Sequence, residues 1–157
     1  MKDSSYTPSI FQLRGRIGRV RYLAYGFVFG ILVLLASALV ATVAGEAAAT
    51  WLSAAATAAL GVLLGVRRLH DLGRSGWIAL GMLVPFVNLA IGLWLLCAPG
   101  DAGANRFGPA PGPNTRPLIV LAWAVPVIVV AGVLAAVALA PHKSNAQRAR
   151  DEMEQAI

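Results

Sequence analysis

Apolar residues in this chain gather into four stretches, 22–45, 47–66, 77–100 and 117–141, and none of them contains Lys, Arg, Asp or Glu. Each reaches the ~20 residues that a helix rising ~1.5 Å per residue needs to cross ~30 Å of hydrocarbon. A soluble core helix keeps a polar face and seldom runs so far without a charge. The pattern predicts an all-α fold, a polytopic transmembrane helical bundle of four spans. The third stretch is the irregular one. Pro85 removes a backbone donor and clashes with the carbonyl four residues earlier, and Asn88 follows it. The stretch is either a span kinked at Pro85 or a re-entrant hairpin whose broken backbone protein must shield. Because membrane helices tolerate proline, the kinked span is the preferred expectation.

Ahead of the first stretch, Ile10, Leu13, Ile17 and Val20 fall on one side of a helix over 9–21 with arginines beside them. This predicts a short interfacial helix in the headgroup layer, weakened by Gly15 and Gly18. The first stretch follows about twenty polar residues and exceeds the ~7–15-residue core of a cleavable signal, so it is expected to stay as the first span. The chain therefore divides into a basic interfacial segment (1–21), a three-span core (22–111) with loops at 67–76 and 99–116, a further transmembrane helix (117–141) and a polar tail (142–157). The tail mixes both charge signs and reads as a solvated helix or as disorder.

Spacing also predicts how the helices pack. Thr50, Ser53, Thr57, Gly61 and Gly65 share one face of the second span, with Leu52, Val62, Leu63 and Val66 on the other. The small face should meet a helix and the larger one lipid. Gly26-x-x-x-Gly30 and Gly61-x-x-x-Gly65 point to close contacts within the bundle, with contact between copies as the lesser reading.

Composition agrees: 58% of the 157 residues are hydrophobic and 13% charged. The net charge of +6 does not imply nucleic acid, because no basic patch with interleaved aromatics forms a stacking surface. The cations instead flank the apolar stretches, where they hold loops in the cytoplasm and meet anionic lipid. With four spans and a cytoplasmic N-terminus, eleven of the 13 Lys and Arg lie inside and two outside, and the C-terminus is cytoplasmic. A re-entrant third stretch gives ten against three, so charge alone separates the alternatives poorly.

The densest polar cluster runs from Arg67 to Trp77 and holds Arg68, His70, Asp71 and Arg74. Gly73 is suited to end one helix and Ser75 to cap the next. In one reading the arginines anchor a cytoplasmic loop and Asp71 pairs with them. In the other they bind an anionic headgroup, a phosphate or a partner protein, with His70 as a titrating member. Arg16 and Arg19 join the same basic side, and Asn105 and Arg106 mark the Gly/Pro-rich loop. Cys97 is the one cysteine, leaving no internal disulfide. No His-Glu-x-x-His, Cys-x-x-Cys or Gly-x-x-x-x-Gly-Lys pattern is present, so no catalytic, cofactor-binding or metal-ligating residue is assigned and no enzymatic role is expected. Non-enzymatic binding at the cytoplasmic face leads; a small transporter, a channel or an accessory subunit is the alternative.

Three of these segments together resemble the domain of unknown function 805 family of small bacterial inner-membrane proteins. They are Gly15-Arg16-Ile17-Gly18-Arg19-Val20-Arg21-Tyr22, then Arg67-Arg68-Leu69-His70-Asp71 with Ser75-Gly76-Trp77, and Pro99-Gly100 leading to Asn105-Arg106-Phe107-Gly108-Pro109. Leu23 stands where the family usually has Trp, and Ala110 where it usually has Asp. The likeness covers residues 10–111 and implies a helical protein of the bacterial inner membrane. It brings no reaction, cofactor or substrate.

Overall fold

A computed structural model describes residues 14–155. The chain forms two compact units, Met1–Ala122 and Trp123–Ile157. The first is built on α1, Arg19–Asp71, whose 53 residues would run about 80 Å if straight. It does not stay straight. Gly45 takes φ 86° and ψ 166°, a region open essentially to glycine alone. The second arm then returns beside the first, so that Tyr25 and Leu64 meet in one cluster with Ile17. The break falls at the turn the sequence places between its first two apolar stretches.

The surface of these arms identifies their solvent. No residue in the most apolar window of α1 is buried, and Leu34, Leu35, Leu39 and Val43 are all exposed. A soluble protein does not leave so continuous an apolar surface in water; lipid covers it at no cost. α3, Arg116–Gln155, is likewise apolar over Arg116–Ala138, and only 6% of its most apolar window is buried. Among the described residues these two helices have the length and composition to cross a membrane, and the chain is a transmembrane protein. The backbone of the tail continues α3 as helix as far as Gln155.

The third apolar stretch departs from the kinked-span expectation. It forms a 3-10 helix, Gly76–Leu83, and a separate α2, Val87–Cys97, each about 16 Å long. Between them Pro85 interrupts the ladder and Phe86 adopts φ 67°, which reverses the chain instead of bending it. The two legs close on each other at Gly81, which faces Ile91 and Val87. The hairpin lies against the second arm of α1, where Gly65 faces Met82, Ala79 and Leu95. A second cluster, Leu69, Ala79 and Leu95, seals that contact. The glycine face of the second arm thus receives a short hairpin. Gly26 and Gly30 do not follow suit: no described atom lies within 4 Å of where a side chain would start, so their predicted bundle contact is absent among the described residues.

The interfacial helix is also revised. Ile10 and Leu13 lie outside the described residues. Residues 14–18 are not helical, because Gly15 takes φ 96° and Gly18 is extended. Helix begins only at Arg19, as the start of α1. Ile17 is fully buried against Tyr25 and Leu64 instead of facing lipid.

Candidate functional site at the arginine-rich end

The polar end of the first unit is assembled around Asp71. The second arm of α1 ends there in a paired cap: the Arg74 N–H reaches the Leu69 carbonyl at 2.9 Å and the Gly73 N–H the His70 carbonyl at 3.2 Å. Gly73 sits at φ 66°, as a helix-ending glycine should. Ser75 precedes the 3-10 helix in extended conformation without a side-chain capping bond.

Asp71 is 3% exposed. Arg16 donates to its Oδ1 from Nε at 3.1 Å and from Nη2 at 3.0 Å, and Arg68 Nη1 donates to Oδ2. Both arginines are fully buried and also hold carbonyls. Arg68 donates from Nε to Leu95 at 2.9 Å and from Nη2 to Ala98, tying down the last turn of α2. Arg16 donates from Nη1 to Gly103 at 2.6 Å and to Gly108 at 3.2 Å, and from Nη2 to Asp101. Arg21, 1% exposed, donates to Gly112 and Pro113 at 2.7 and 2.8 Å. Each guanidinium therefore spends its fork on the Gly/Pro-rich loop or on a helix end that exposes carbonyls. The loop lies directly on the 67–76 turn, and the Asp101 N–H completes the joint at the Asp71 carbonyl, 2.8 Å away. Gly100 fits only because it lacks a side chain: a methyl there would stand 2.1 Å from Asp71 Oδ2.

A second layer covers the knot. Asn105 donates from Nδ2 to the His70 carbonyl at 2.9 Å and to Asp101 Oδ2 at 2.8 Å, and accepts the Phe107 N–H at 2.9 Å. His70 and Phe107 stack with ring centroids 3.9 Å apart, and the Arg106 guanidinium lies 4.7 Å from the Phe107 centroid. His70 Nδ1 approaches the Gly15 carbonyl at 3.4 Å.

These groups lie beyond the apolar parts of the arms, and burial dominates their titration. It pushes the Asp71 carboxyl up, against the pull of Arg68 and Arg16. It lowers Arg68, with Asp71 opposing most strongly. It lowers His70, where the bond to Gly15 opposes and Arg106 adds to the lowering.

The predicted site residues thus divide. Arg16, Arg68, Asp71, His70, Asn105 and Arg106 come together. Arg67 is buried in the same end, and its carbonyl accepts the Ile17 N–H at 3.3 Å. Arg74 is exposed and outside the Asp71 knot, and exposed Arg19 reaches the Cys97 carbonyl, at 3.4 Å. Sequence reasoning missed Arg21 and Phe107 and the set of accepting carbonyls. The repeated arginines at 16, 19 and 21 and the density of Gly and Pro at 99–113 were the available signals.

Residues 10–109 match the family described as "Protein of unknown function (DUF805)". The chain is similar to the inner membrane protein YhaH of Escherichia coli (strain K12), 51% identical over 45 residues that cover 29% of this chain and 37% of that protein. It is 46% identical to the inner membrane protein YhaI of the same organism over 48 residues, 31% of this chain and 41% of that protein. The matches span about two fifths of these relatives' length. No solved structure matches the chain.

Proposed function

This chain belongs to the DUF805 family of proteins of unknown function, and within it we propose a non-enzymatic module of the bacterial inner membrane whose arginine-rich end binds anionic lipid headgroups on the cytoplasmic side. One observation carries the reading. Around the buried knot, Arg14, Arg19, Arg74, Arg106 and Arg116 are exposed, with Asp101 as the exposed acid beside them. That end lies where the apolar arms stop, which is the depth of lipid phosphates. The similar proteins YhaH and YhaI are named inner membrane proteins, which supports the location.

The same geometry favours three crossings and a re-entrant hairpin. Both ends of 76–98 are tied to one place: Gly76 packs on Val66 and His70, and Arg68 holds Leu95 and Ala98. Legs of about 16 Å reach only the middle of ~30 Å of hydrocarbon. The N-terminus and both loops then share the cytoplasmic face with ten of the 13 Lys and Arg. Exposed Cys97 reports on this directly: a membrane-impermeant maleimide should label it in inverted vesicles and not in intact cells. Labelling in intact cells would restore the spanning alternative.

Headgroup binding is tested by extracting the protein from membranes in polymer-bounded discs and quantifying the lipid carried along. Anionic lipid should be enriched over the bulk membrane, and Arg74→Gln with Arg106→Gln and Arg116→Gln should reduce the enrichment. Equal composition of disc and membrane would refute it; a stoichiometric protein lost with the same substitutions would point to a protein partner.

A transport reading retains one observation. A groove of about 490 Å³ beside the hairpin is lined by Ser53, Thr57, Gly61, Met82 and Asn88. No ionisable group lines it, and intramembrane paths for ions usually carry one. Solute flux in proteoliposomes, abolished by Asn88→Leu, would favour it.

A further inference from the structure

The first turn of α1 opens onto a cleft of about 320 Å³ lined by Arg19, Arg21, Arg68, Asp71, Asp101 and Asn114. The helix starts there without a side-chain cap and without an acid in its first turn. By helix geometry the N–H groups of Arg19, Val20 and Arg21 have no partner within the helix and carry its positive end. Guanidinium charge adds to it from two sides. Arg21 is buried and its forks meet only neutral carbonyls; its Nε has no hydrogen-bond partner among the described residues. Arg68 brings a second charge, and burial weighs more on it than Asp71 offsets. Arg19 supplies a side chain that is exposed and only weakly engaged, at 3.4 Å from Cys97 O. Of the two acids in the lining, Asp71 accepts from Arg16 and Arg68, while exposed Asp101 accepts from the neutral Asn105 amide and keeps its charge. Three arginines thus stand against two carboxylates in the lining, an excess of positive charge.

We propose that this cleft is a single-phosphate site, in which the first-turn N–H groups of α1 and the Arg19 guanidinium donate to the phosphate while Arg21 and Arg68 supply buried positive charge. A phosphate group matches several converging donors at a helix start better than a carboxylate does. The ligand is a phosphate ester, carried either by a lipid headgroup or by a free molecule. The inference rests on the headgroup reading above and sharpens it to one site.

The test uses the full chain in detergent micelles, offered phosphatidylglycerol or phosphatidylcholine, with bound lipid counted by native mass spectrometry. One phosphatidylglycerol should be retained in preference. Arg19→Gln, an exposed change that leaves the buried knot intact, should weaken its retention about tenfold, and Arg19→Lys should restore most of it. Arg74→Gln, on the rim but outside the cleft, should weaken it no more than about twofold. Excess inorganic phosphate distinguishes the sources: competition supports a site open to free phosphate, and lack of competition one reserved for lipid. Equal loss in Arg19→Gln and Arg74→Gln would overturn the cleft and keep a diffuse headgroup-binding rim. No preference for phosphatidylglycerol and no effect of phosphate would overturn both.

Discussion

Asp71 decides whether the arginine-rich end is an assembled structure or a set of repelling cations. Its two oxygens anchor Arg16 and Arg68, which in turn fix carbonyls from α2 and the loop. Removing the carboxylate takes away the acid that two buried guanidinium groups share, the costly half of breaking a buried pair. Asp71→Ala should therefore lose about 3–5 kcal/mol of stability, read as a large drop in thermal unfolding midpoint in nanodiscs. Gly100→Ala acts on the same carboxylate from outside, since its methyl overlaps Oδ2. It should cost about 1–3 kcal/mol through overpacking. His70 gives the end a pH dependence of its own. Burial favours its neutral form in the folded state, so the unfolded chain takes up the proton more readily. Stability is then full above the unfolded value of about 6.5 and falls as pH drops through it. The unfolding midpoint of the natural protein should decline more between about pH 7.5 and about pH 5.5 than that of His70→Gln. The partnership of Asp71 with Arg68 was legible, because three residues along a helix bring side chains together. Its partnership with Arg16 was not: 55 positions separate them, and no local period connects the two.

At the scale of elements, hydropathy marked where helices would form because burial in lipid acts on every residue of a crossing segment. The turn at Gly45-Glu46 was equally legible, as the one charge and flexible residue between two apolar stretches. Gly45→Val would force a branched side chain into φ 86°. It should cost about 1–3 kcal/mol and loosen the Tyr25–Leu64 contact, measured as faster hydrogen exchange in both arms. The hairpin at 76–97 was less legible. A proline announces a break but not its angle, and the reversal depends on Phe86 accepting φ 67°. The packing that makes reversal worthwhile, Gly65 against Met82 and Ala79, joins segments a sequence pattern treats as independent. The described part of the expected interfacial helix is broken for a local reason: Gly15 at φ 96° and extended Gly18 keep residues 14–18 out of a helix, with Arg16 and Ile17 buried.

For the whole molecule, the number of crossings sets which face each end of the chain meets. The sequence could not decide it, because the hairpin and the span differ by a single cation in the inside tally. In the proposed topology the hairpin returns to the cytoplasmic side, and one crossing by Arg116–Ala138 takes the chain to the opposite face. An alkaline phosphatase fused after Ile157 should then be active, since that enzyme matures only outside the cytoplasm; an inactive, stably expressed fusion would require a fourth crossing.

The hairpin's short reach has a mechanical consequence. In the proposed topology, legs of about 16 Å displace acyl chains from one leaflet alone, so the first unit is wider at its arginine-rich end. A wedge of that kind relaxes stress where a bilayer bends, and its lateral density should follow local curvature even with no second protein to recruit it.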